Sequence, residues 1–564
     1  MKNERIKFFQ VELLKFSFSA IFFLSASQAL AEEQLHSAHL PTCESQWKNK
    51  NSSYDYSKNS AVTEFGNEGY ASFQNSLNRD ACKKPWTILV YMQADNDLTP
   101  YALLDLYEME AGFVAAGAPK VGSTKRSDLL VQLDTHLTQD IRRLHIFQTK
   151  EAYNPKIKID DFKNRSEKNI QSPIVERLSE STRKLDPAED LEDFIKWGVK
   201  KYPAERYMVI VWGHGQGWTA RTIADEEKVE SNVKSAGKVF ESLIPVPSTG
   251  VNSAMENSVF KGRGFGGLAF DDSTKSFLNI PDLSAVLQRV SKSQLKGKAI
   301  DVYASDACLM QMLEVAFEMS SSTRYIVGST QVQNFLGLPY RRLLTELNSG
   351  NFGEAQKMPA DADEAYLAAL MIPKVFKSSM APQGLQGRMD KKGIETVTMS
   401  ALNSAELRNF LVPAMLKLSE HIYDYLKEDP IRSIDVQFVI QNTPSFLGGA
   451  QDFGAFLTLL SAFVDEEALA KNEMSAAAQN LKSAITQTQN ELQKSVSSFV
   501  LGTSYAKKET QLYLLGIRAV SVWLPSSPNE YASRRADLGQ SKLAKVKSAK
   551  GLTWMSFIDE VYKE

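Results

Sequence analysis

Three runs constrain this chain more than any other feature: Trp86 to Met92 (WTILVYM), Tyr207 to Trp212 (YMVIVW) and Ala299 to Ala304 (AIDVYA) are nearly unbroken apolar stretches rich in β-branched side chains. A strand with one wet face alternates apolar and polar residues, so runs like these belong to strands buried on both faces. Segments with helical spacing lie among them. These are residues 101–111, a stretch opened by Asp186-Pro187-Ala188-Glu189 and running to about Lys201, Pro281 to Leu287, and Leu309 to Met319. Shorter strands are read at Leu129 to Leu133, Leu144 to Phe147, Gly267 to Phe270 and Tyr325 to Gly328. This alternation predicts an α/β fold, a mostly parallel sheet flanked by helices on both faces, over residues 85–345. Residues 346–564 have helical patterns at 405–426 and 466–492 and strands near 437–440 and 518–524, and are read as a C-terminal α/β region packed on the first. The Met and Leu stripes there are core positions rather than a cofactor box.

The start of the chain is set apart. A basic opening (MKNERIK), a short apolar run at Phe16 to Leu24 and Ala29-Leu30-Ala31 form a signal peptide over residues 1–31, cut after Ala31. The run is too short and too broken by serines to span a bilayer. The expected location is therefore a periplasm or the extracellular space. Residues 32–84 are polar and aperiodic, as in a leader or cap. The whole chain carries 65 basic and 67 acidic residues; loss of Lys2, Arg5, Lys7, Lys15, Glu4 and Glu12 leaves 61 and 65, a net charge of −4. That balance argues against binding nucleic acid through bulk charge. Of the three cysteines, Cys43 and Cys82 are read as a disulfide and Cys308 as free, the alternative being three reduced, buried thiols.

In a parallel α/β sheet, reactive groups collect beyond the carboxyl ends of the strands. Two strand ends here carry such groups. Tyr207–Trp212 runs into Gly213-His214-Gly215-Gln216-Gly217-Trp218, and the strand at 299–304 into Ser305-Asp306-Ala307-Cys308. If the strands are neighbours, His214 and Cys308 emerge on one edge, as a Cys/His pair for acyl transfer needs. Cys308 is expected just ahead of a helix, whose positive end would favour a thiolate. Gly213 and Gly215 permit close backbone approach, and the amides of Gly215 and Cys308 are placed to form an oxyanion hole. The other histidines have weaker contexts: His36 and His39 in the leader, His136 after a strand, His145 within one, His421 on an amphipathic helix. Motifs for nucleotide hydrolysis, zinc proteolysis, serine-esterase chemistry and CxxC redox chemistry do not occur.

W-G-H-G-x-G-W at 212–218 and D-A-C-L-M at 306–310, following a strand that ends ADNDL and separated by a Phe-Asp-Asp strand end at 270–272, resemble the clostripain family of cysteine peptidases. The resemblance covers about residues 85–560, more weakly in the C-terminal half. It implies a caspase-like fold, with His214 as general base, Cys308 as nucleophile, and Gly215 and Cys308 supplying the oxyanion amides. It further implies cleavage after Arg or Lys, with Asp306 lining the pocket for the basic side chain. The alternative role for Asp306 is a hydrogen-bond acceptor within the turn. The loop at 329–337 lacks the second acidic residue that the family often offers. Residues 222–264 form a long polar segment, read as a surface loop. The family's activation by internal cleavage would use Lys228, Lys234, Lys238, Lys261 or Arg263, the alternative being an uncut loop. No metal is expected to be required. Some relatives need calcium, and Asp95, Asp97, Asp271 and Asp272 offer oxygen donors without an EF-hand-like spacing. The expected partners are peptide or protein substrates, and the expected state is a monomer. The competing reading is a catalytically silent relative that binds peptides or surface partners through the same cleft.

Overall fold

The computed structural model describes residues 83–563, apart from 112–120, 150–153, 155–159, 164–169, 219–265, 353–362, 381–396, 447–449, 503–515 and positions 125, 139, 180–181, 183, 332, 334–335 and 351. The expected signal peptide, leader, Cys43–Cys82 pair and cleavage candidates Lys228, Lys234, Lys238, Lys261 and Arg263 all lie outside the described residues.

Nine of the strands form one sheet. In chain order they are β1 (Lys84–Ala94), β2 (Ser127–Thr135), β3 (Ile141–His145), β4 (Ile174–Leu178) and β5 (Ala204–Trp212). A two-stranded hairpin, β6 (Gly267–Asp271) and β7 (Ser276–Asn279), stands apart from the sheet and is followed by β8 (Ile300–Asp306), β9 (Thr323–Gly328) and β10 (Val397–Asn403). The short β11 (Ser445–Phe446) and β12 (Ala450–Asp452) form a small sheet with β14 (Ser521–Trp523), while β13 (Val496–Gly502) returns to the large one. Its order is β13-β10-β9-β8-β5-β1-β2-β3-β4. The five central strands, from β9 to β2, are parallel, and each edge adds an antiparallel pair.

The three apolar runs thus become β1, β5 and β8, side by side at the centre. Alternate residues feed two separate cores: Leu89, Tyr91, Val209 and Val211 face one, and Ile88, Val90, Met208 and Ile210 the other. Helices Pro187–Lys201 and Ile280–Ser293 cover the first face, and Thr99–Glu110, Tyr340–Ser349 and Glu364–Met380 the second. The mostly parallel sheet with helices on both faces is the architecture that the apolar runs predict. The start signals also hold: the Asp186 side chain accepts from Ala188 N and Glu189 N ahead of Pro187, and Asn279 caps the helix at Asp282 N.

The region from 346 onward continues the sheet and cores of the residues before it. It adds β10 and β13 to the same sheet, helix Glu364–Met380 to one core, and helices Val412–Glu428 and Phe453–Lys471 to the other. The boundary at 345 therefore falls within a shared sheet and core. The strand read near 437–440 lies in helix Ile431–Asn442, and the helix read over 466–492 is two helices, broken at Asn472 in the left-handed conformation (φ 51°).

Candidate active site

Strands β5 and β8 pair in parallel with Trp212 opposite Asp306, and Gly213 N donates to Asp306 O at 3.2 Å. The two segments that leave the sheet here carry His214 and Cys308. A Cβ on Gly215 would lie 2.5 Å from Cys308 O and 3.2 Å from Cys308 N, so the two backbones approach as only a glycine permits. Gly213 has φ 146°, and a Cβ there would meet Gln93 O at 3.0 Å. The segment is fixed to β6 by Gln216 N donating to Gly267 O and Ala269 N to His214 O, both 2.9 Å, about an antiparallel bridge between Gly215 and Leu268. In that pairing the Gly215 amide turns away from β6.

A residue unassigned to the dyad in the sequence completes the histidine side. His214 Nε2 lies 2.7 Å from Asp97 Oδ1. Asp97 sits in the turn that ends β1, the strand on the other side of β5. That turn is held by Asn96 Nδ2 donating to Phe270 O at 2.7 Å, by Leu98 N donating to Asn96 Oδ1 at 2.9 Å, and by Asp272 N donating to Asp95 O at 2.7 Å. The hydrogen bond to His214 holds the Asp97 carboxyl below the usual range. Adjacency to the histidine strand was the signal available in the sequence; the turn's acidic character instead suggested calcium.

The cysteine side is closed. Cys308 is half-buried, Gln333 N donates to its Sγ at 3.2 Å, and burial pushes the thiol up to about 11. The expected helix start at 309 is not there: Leu309 is left-handed (φ 63°) and the helix spans Leu313–Met319. Cys308 is therefore outside the first turn, where a helix dipole acts, and the expected thiolate stabilisation is absent from this arrangement.

Asp306 faces the same loop. Its carboxylate is buried and accepts Gln333 Nε2 at 2.6 Å and Leu338 N at 3.0 Å on each oxygen. Gly337 (φ 58°) packs so closely that a Cβ would lie 2.8 Å from Asp306 Oδ2. These contacts tie the Asp306 carboxylate to the loop at 333 and 338. Burial raises its pKa to about 6. Beneath it, Asp105 accepts from Trp212 Nε1 at 2.7 Å, and Glu108, raised by burial to about 7, accepts from Arg341 N at 3.3 Å.

Of the four expected calcium donors, Asp95 and Asp271 come together, joined by Asp134, with carboxylate oxygens within 4.8 Å of one another. Such a set of hard oxygen donors suits a cation of that class. Asp97 is turned to His214 instead, and Asp272 lies 3.9 Å from Lys275 Nζ. His145 is a core residue beside Asp128, its pKa depressed by burial to about 3. Among the described residues, no helix is long and apolar enough to cross a membrane.

The model of the clostripain family matches residues 90–232 and 257–380. Among solved structures, the chain is similar to a secreted C11 cysteine protease from Bacteroides thetaiotaomicron in complex with an irreversible peptide inhibitor, at 17% identity over 84% of this chain and 99% of that one, with a TM-score of 0.46. It is also similar to an inactive zymogen C11 protease from Parabacteroides distasonis, at 15% identity over 84% and 98%, with a TM-score of 0.47. No curated protein matches the chain.

Proposed function

The chain belongs to the clostripain family of cysteine peptidases, and we propose that it is an exported endopeptidase that uses a Cys308/His214 dyad, cleaves after Arg or Lys, and is activated by internal cleavage. The observation that supports the dyad is the close approach of the Gly215 and Cys308 backbones beyond the carboxyl ends of two paired strands. The imidazole takes the thiol proton and the thiolate sulfur attacks the scissile carbonyl carbon. The Gly215 and Cys308 amides face the resulting oxyanion. Collapse expels the amine, which receives the proton from the imidazolium, and water then hydrolyses the thioester.

For Asp306 to select a basic side chain, Gln333 must first give way. Its amide, 2.6 Å from the carboxylate, stands where a substrate ammonium or guanidinium would bind. A cation recovers more from a buried carboxylate than a neutral amide does, which gives the preference its physical reason. The capped thiol fits a resting form that internal cutting at Lys228, Lys234, Lys238, Lys261 or Arg263 would release. The same cap favours the second reading, a silent peptide-binding relative. Calcium at Asp95, Asp134 and Asp271 would tie β1, β2 and β6 together near the dyad without entering the reaction.

Turnover separates the two readings. The protein and its Cys308→Ala and His214→Ala variants are incubated with fluorogenic peptides carrying Arg, Lys, Ala or Leu before the scissile bond. The peptidase reading expects cleavage of the Arg and Lys peptides by the unaltered chain alone. Silence of all three proteins on every peptide supports the binding relative.

A further inference from the structure

The geometry points to Asp97 as the positioning residue of His214, so that the reactive unit is an Asp97-His214-Cys308 chain; this rests on the reading of His214 as the base. An ionised carboxylate can only accept hydrogen bonds, so the 2.7 Å contact places a proton on His214 Nε2. The lone pair of the neutral ring is then on Nδ1, the nitrogen left for the thiol and later for the leaving amine. Without the carboxylate, either tautomer can form and the ring can turn.

Asp97 is built to do this. Its position at the end of β1 is fixed by the Asn96 bonds to Phe270 O and Leu98 N, so the carboxylate is held to the histidine by backbone geometry. The other acidic groups around the ring are committed elsewhere. Asp95 and Asp271 lie with Asp134, Asp272 faces Lys275, and Asp306 is turned into the loop at Gln333 and Leu338. Among the described residues, Asp97 is the carboxylate hydrogen-bonded to this imidazole, and the segment that carries Cys308 leaves β8, on the side of β5 away from β1. A fixed carboxylate against Nε2 keeps the ring oriented while Nδ1 takes the thiol proton and later gives it to the leaving amine.

The test compares Asp97→Ala, Asp97→Asn and Asp97→Glu by kcat and KM measured separately, with Cys308→Ala as reference. Asp97→Ala and Asp97→Asn are expected to lower kcat about 10- to 100-fold with little change in KM. Asp97→Glu, which keeps a carboxylate, is expected to restore part of the rate, with KM again little changed. An unchanged kcat in Asp97→Ala and Asp97→Asn, or a loss that Asp97→Glu does nothing to relieve, overturns the assignment. Full activity of Cys308→Ala would instead defeat the dyad itself, so the two failures are distinct.

Discussion

The two strand ends that meet at the site are prepared in opposite ways. After β5, His214 is set in glycines, pinned to β6 and hydrogen-bonded to the Asp97 carboxylate. After β8, Cys308 lies under Gln333, its thiol pushed up to about 11 by burial and its neighbour Asp306 occupied by the same residue. The histidine half is held in place by backbone and carboxylate contacts, and the cysteine half is covered. Among the described residues, Gln333 touches both the Cys308 sulfur and the Asp306 carboxylate.

The largest effect that could break this contrast is in thiol reactivity. With a thiol pKa of about 11, alkylation of Cys308 by iodoacetamide should rise about tenfold per pH unit, roughly a thousandfold from pH 7 to 10, because only the thiolate reacts. A plateau near neutrality would show that the cysteine half is as ready as the histidine half. Next, Gly215→Ala would drive a methyl group against Cys308 O, 2.5 Å away, and part the two halves. Turnover should fall at least about 100-fold, the scale of losing an oxyanion donor, while the unfolding free energy measured in urea changes by only about 1–3 kcal/mol. Near-normal turnover would mean that the contact is incidental.

Gln333→Ala sharpens the comparison by loosening the cap. It removes the side-chain bond to Asp306 and leaves the backbone donor to Cys308, and alkylation at pH 8 should quicken about tenfold, the scale of one hydrogen bond to a charged group. An unchanged rate would place the closure elsewhere. The smallest effect concerns the buried acids beneath the site. Glu108 has its folded pKa raised from 4.5 to about 7 by burial, so the stability it contributes is fully present below pH 4.5 and lost as pH rises through 7. Glu108→Gln should flatten the decline in melting temperature between pH 5 and 8, recovering about 1–3 kcal/mol. An unaltered slope would assign that decline to other groups.

The sequence made the histidine half easier to read than the cysteine half. The central strands are legible because burial on both faces leaves uninterrupted apolar runs, and a strand end followed by Gly-His-Gly announces itself. β10 and β13 were not recognised as members of that sheet, since their pairing depends on partners far away in the chain. The run at Gln437–Ile440 is too short to tell strand from helix by its composition, and it resolves as helix only in the longer frame of Ile431–Asn442. Asp97 was visible as an acid, but its orientation toward His214 follows from the side-by-side placement of β1 and β5. Gln333 carried no signal at all: a neutral residue in an irregular loop gains its importance from touching Cys308 and Asp306 together.

The most direct measurement exposes the protein for several hours to an irreversible thiol-directed peptide carrying Arg at its reactive end, followed by intact-mass and peptide mapping. One adduct is expected, on Cys308, strongly reduced in His214→Ala and forming faster than with the same reagent built on Leu. An unmodified Cys308, or labelling equally fast without His214, would contradict the dyad.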